Sequence, residues 1–89
     1  MSNKMWDIFF TKKAQKQINA LDKTIQSKFK KVIAEKLKTN PALYLEPLLG
    51  DMAGYYKFRI GDYRLICEKE EQKLIIIVIE IGHRKEIYK

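Results

Sequence analysis

The sequence predicts an α+β sandwich in which two N-terminal helices pack on one face of a small antiparallel sheet. The expected element order is strand, helix, helix and then three or four strands. Three observations carry this. Ile25, Phe29, Val32, Ile33 and Leu37 recur with helical rhythm. Two alternating runs flank Gly61-Asp62, the signature of a hairpin with a two-residue turn. Leu74-Ile75-Ile76-Ile77-Val78-Ile79 is apolar at every position, as an interior strand covered on both sides would be. The 89 residues form one domain, 1–89, with a modest core and a stability margin of only a few kcal/mol.

The elements follow in order. Met5 to Phe10 is apolar and aromatic apart from Asp7, which suits a first strand. Thr11 is a plausible N-cap for a helix that places Ala14, Ile18 and Leu21 on one side. Asp22 can cap the second helix, and Asn40-Pro41 stops it, because a residue before proline disfavours the helical region. Leu45 to Gly50 reads as a loop or short edge strand, since Pro47 is unsuited to a central one. The hairpin comes next, then a polar turn over Glu68 to Lys73, then the apolar run. Gly82 is expected to break that strand, and His83-Arg84-Lys85 leads into Ile87-Tyr88-Lys89.

Charge limits the partners. A formal net charge of +7 favours nucleic acid or an acidic protein. The apolar run is far too short to span a bilayer, so no membrane role is expected. The N-terminal residues lack the apolar core of a secretion signal. A single cysteine, Cys67, excludes an internal disulfide and fits a reducing cytoplasm; inward-facing, it reads as a small buried hydrophobe. Lysines crowd the remaining helix faces, Lys28 and Lys31 among them. They read as solubility charges that can also follow an RNA backbone.

The hairpin carries the chemistry. A two-residue turn sets Ile60 opposite Tyr63, Arg59 opposite Arg64, Phe58 opposite Leu65 and Lys57 opposite Ile66. Phe58, Ile60, Tyr63 and Leu65 then share the apolar face, and Lys57, Arg59 and Arg64 share the other with no acid between them. Like charges about 5 Å apart across a ladder are destabilising, so the arrangement suits an external anion, phosphate foremost. If the apolar strand pairs beside the hairpin, His83, Arg84 and Tyr88 can reach the same hollow. No thiol or carboxylate cluster suits a metal and no serine lies nearby, so no cofactor is expected. Guanidinium forks around a phosphate, with a base and an acid among Lys57, His83 and Arg84, suit metal-free RNA scission through the 2′-hydroxyl. Tyr55 is a candidate for stacking on a base.

Taken together, Thr11-Lys12-Lys13-Ala14 after the opening strand, Gly54 to Ile66 and Ile81-Gly82-His83-Arg84-Lys85-Glu86-Ile87-Tyr88 resemble the RelE/ParE toxin superfamily, its RelE-like branch in particular. The resemblance implies a RelE-like fold and the toxin of a type II toxin–antitoxin pair. Such a toxin is a ribosome-dependent endoribonuclease that cuts mRNA in the A site and so inhibits translation. It also implies a cytoplasmic antitoxin, here expected to be acidic, that neutralises the toxin and links it to operator DNA. By position Lys57 corresponds to the proposed base, Arg59 to a second basic residue and Arg64 to the phosphate-stabilising arginine. Arg84 corresponds to the C-terminal acid or charge stabiliser and Tyr88 to the stacking tyrosine. His83 falls where some branches use a general acid. Lys28, Lys31 and Lys85 are taken as further RNA contacts. The chain departs from the pattern at Pro47-Leu48-Leu49, where many relatives carry basic residues. Two other readings follow: a ParE-like inhibitor of DNA gyrase, and a weakly active toxin serving mainly as co-repressor.

Overall fold

The computed structural model describes residues 5–83. Its elements are β1 (Asp7–Phe10), α1 (Lys12–Asn19), α2 (Lys23–Val32), α3 (Pro41–Tyr44), β2 (Glu46–Pro47), β3 (Tyr56–Ile60), β4 (Tyr63–Glu70) and β5 (Ile75–His83). The five strands form one sheet in the order β1-β5-β4-β3-β2. Helices and sheet make the expected α+β sandwich. One correction applies to the sheet: β1 runs parallel to β5, Asp7 facing Ile75 and Phe10 facing Val78, while every other pairing is antiparallel. Three helices, α1 to α3, lie between β1 and the rest of the sheet, so the chain has crossed over before it pairs.

Local chemistry explains the boundaries. Thr11 caps α1 as expected, its Oγ1 accepting the Ala14 N–H at 3.1 Å. Asp22 occupies the N-cap of α2 without a side-chain cap bond. Past Val32 the helix widens into a π turn over Ile33–Leu37, where the Lys38 N–H donates to the Ile33 carbonyl at 3.0 Å. Pro41 then opens α3, its missing N–H costing nothing in a first turn. Pro47 stands in the two-residue edge strand β2, as its chemistry requires.

The core joins Ala14 of α1, Phe29 of α2 and Ile33 and Leu37 of the π turn to Phe58, Ile60, Leu65, Cys67, Ile76, Val78 and Ile81. Burial pushes the Cys67 thiol up to about 12, which keeps it protonated and inert. The interior strand is β5, but it is not covered on both faces. Ile76, Val78 and Ile81 are buried, whereas Ile75, Ile77 and Ile79 on the side away from the helices are only half-buried. Nor does Gly82 end the strand, which continues through His83.

β5 also contains a bulge. Cys67 pairs with Val78 and Ile66 with Glu80, so Ile79 is passed over. α1 secures the backbone groups this displaces. Thr11 donates its hydroxyl to the Ile79 carbonyl at 2.8 Å, and the Ile81 N–H donates to Gln17 Oε1 at 2.7 Å.

Candidate functional site

The β3–β4 hairpin has the register read from its sequence: Lys57 faces Ile66, Phe58 faces Leu65, Arg59 faces Arg64 and Ile60 faces Tyr63. Gly61 takes φ +58°, the left-handed setting of a glycine-first two-residue turn. An added Cβ there would also meet the Lys28 ammonium at 3.3 Å. Lys57, Arg59 and Arg64 therefore share the face turned away from the helices, with Arg59 exposed and Arg64 half-buried.

That face is not free of acid. β2 pairs Glu46 with Lys57, and Glu46 Oε1 lies 3.3 Å from Lys57 Nζ. The expectation of three cations with no acid between them is corrected accordingly. Lys57 keeps only 19% of its side chain exposed, against 70% for Glu46, so the ammonium is seated and the carboxylate is presented to solvent. Because β2 is only two residues long, the edge of β3 beyond Lys57 lies open and α3 reaches alongside it. The result is a hollow of about 190 Å³ lined by Lys36, Leu43, Tyr44, Glu46, Lys57 and Arg59.

His83 does not join this group, which is a second correction. The bulge at Ile79 shifts the β4–β5 pairing by one residue, so His83 faces Tyr63 and Gly82 faces Arg64. The imidazole stands edge-on to the Tyr63 ring at 4.8 Å, and Tyr63 meets Phe29 in the same manner at 5.3 Å. With Lys28 and Asp62, His83 lines a separate hollow of about 380 Å³ on the helix side of the hairpin turn. Lys31 is exposed on α2 and also belongs to the helix layer. Tyr55 is half-buried just ahead of β3; its carbonyl accepts the Leu48 N–H, and Tyr56 behind it packs on the core under Lys69. Arg84, Lys85 and Tyr88 lie outside the described residues.

Four residues of the hollow escaped the sequence reading: Lys36, Leu43, Tyr44 and Glu46. Glu46 had no sequence signal beyond its place before Pro47, because its partner depends on how β2 docks. Among the described residues no group of three His, Cys, Asp or Glu side chains could hold a metal ion. None of the described helices is long and apolar enough to cross a membrane.

The two helices on one face of a five-stranded sheet match the fold of solved RelE-like toxins of toxin–antitoxin pairs. The description "ParE toxin of type II toxin-antitoxin system, parDE" matches residues 8–88. Toxin RelG of Mycobacterium tuberculosis is 24% identical over 84 residues, covering 94% of this chain and 97% of that protein. The RelBE2 toxin–antitoxin complex of M. tuberculosis superposes with a TM-score of 0.84 at 22% identity, covering 93% of this chain and 95% of that one. The isolated RelE toxin of E. coli gives a TM-score of 0.68 at 28% identity, covering 93% and 90%. The chain belongs to the ParE toxin family, within the RelE/ParE superfamily of type II toxin–antitoxin toxins.

Proposed function

We propose that this toxin is a metal-independent endoribonuclease that cleaves mRNA in the ribosomal A site. The observation that carries the reading is the Arg59–Arg64 pair, two arginines at facing positions on the sheet face away from the helices, beside the Glu46–Lys57 ion pair. Arginine forks pair bidentately with phosphate oxygens, so arginines at facing positions suit a phosphate held between them.

In this reading the Glu46 carboxylate, held by Lys57, takes the proton of the 2′-hydroxyl. The 2′-oxygen attacks the phosphorus, and Arg59 and Arg64 stabilise the charge on its equatorial oxygens. The bond to the 5′-oxygen breaks, and that oxygen leaves with a proton, giving a cyclic phosphate and a 5′-hydroxyl end. Arg84 supplies the acid or charge and Tyr88 the stacking, as the resemblance implies. His83, on the opposite face, is withdrawn from the acid role. Lys28 and Lys31 meet RNA backbone away from the scissile bond. An acidic antitoxin covers the cationic face, neutralises the toxin in the cytoplasm and carries it to operator DNA.

Purified toxin with programmed ribosomes tests this. Arg64→Ala lowers the rate of A-site cleavage by about 10²–10³, the usual effect of losing one preorganised charge-stabilising group. Glu46→Gln lowers it by about 10²–10⁴, the range for a general base. Normal cutting by Arg64→Ala would sink the assignment. A second reading, inhibition of DNA gyrase, is favoured by the ParE match and by the neutralisation of Lys57. Induced cells with gyrase-bound DNA breaks and intact mRNA would establish it instead.

A further inference from the structure

The hollow at the open edge of β3 contains two groups that the scission chemistry leaves unused, Tyr44 and Lys36. We infer that they form a nucleobase subsite, holding the base next to the phosphate bound at Arg59. This rests on the RNA-cleavage reading and deepens it.

Backbone geometry is the first support. The α2 lysines Lys28, Lys30 and Lys31 are exposed, whereas Lys36 is half-buried. It lies within the π turn that follows them. Turns of this kind are rare and concentrate at functional sites. Its ammonium stands over the Tyr44 ring, 5.1 Å from the ring centre, in a cation–π contact.

Exposure is the second. Tyr44 remains 37% exposed and Leu43 70% exposed, so a flat aromatic surface and an aliphatic flank face solvent beside Lys57 and Arg59. Every base has a π face, and aromatic side chains beside backbone-tracking cations are the usual platform for unpaired nucleotides. Size is the third. At about 190 Å³ the hollow falls below the ~300–1,000 Å³ that encloses a drug-sized ligand, and it suits a single ring system. Lys36 has only donors to offer, which suits the acceptor-bearing edge of a base.

The test is NMR titration of isotopically labelled full-length toxin with a 2′-O-methyl trinucleotide, which cannot be cut because its nucleophile is blocked. An abasic trinucleotide with the same backbone is the control. The Tyr44 ring and Leu43 methyl resonances should move with the base-bearing oligomer and stay in place with the abasic one. Tyr44→Ala should weaken binding of the former by about 5- to 150-fold, the worth of one stacked base, and Tyr44→Phe should restore it. If Lys57 and Arg59 respond while Tyr44 does not, or Tyr44 responds equally to both oligomers, the subsite is wrong and the RNA reading stands. If no resonance in the hollow responds to either, the subsite is wrong, and the A-site cleavage assay decides the RNA reading by itself.

Discussion

At its hairpin end the sheet has two faces one residue apart in sequence and opposite in character. On the helix side, Ile60 and Tyr63 face each other, Tyr63 wedges between Phe29 and His83, and the rings pack edge to face. On the open side, Arg59 meets Arg64, and Lys57 meets Glu46. The first face gains stability by excluding water. The second keeps charge at the solvent boundary, with Arg59 exposed and Arg64 half-buried. Position in the pleat, more than residue type, decides which task a side chain performs: His83 packs against the Tyr63 ring on the helix side.

Neighbouring substitutions should break the two faces independently. Phe58→Ala is expected to cost about 3–5 kcal/mol, as for other large buried aromatics, read as a lowered urea midpoint. Arg59→Ala, one residue along the same strand, should leave stability within about 0.5 kcal/mol while reducing RNA cleavage. Equal stability losses would contradict the division. Gln17→Leu strips the Ile81 N–H of its acceptor and should cost about 1–3 kcal/mol, with the loss concentrated around the bulge in hydrogen exchange. The smallest effect is expected at His83. His83→Gln should remove about 0.5–1.5 kcal/mol of ring packing and reduce cleavage by less than tenfold. A loss on the scale of Arg64→Ala would put His83 back in the site.

The hairpin was legible because each of its cues was local. Alternation named the faces, and Gly61-Asp62 fixed the register without reference to the rest of the chain. The Thr11 cap and the edge placement of Pro47 were legible for the same reason. The parallel docking of β1 was not, since a strand's sequence does not record the direction of its neighbour. The side of the sheet taken by His83 was hidden twice over. Five consecutive Ile and Val residues in β5 show no alternation, and the bulge among them then changes the count. Glu46 and Lys36 were missed because both depend on longer-range geometry, the docking of a two-residue strand and the widening of a helix.

The passed-over Ile79 acts as a spacer of a single codon. Drawing it into the ladder opposite Ile66 would close the pairing without interruption and turn each later β5 side chain to the other face. An imidazole would emerge among the guanidinium groups, and Ile81 would leave the interior. A lineage could thus trade a packing histidine for a proton donor without substituting any amino acid, provided Thr11 and Gln17 gave up their hold on the extra link.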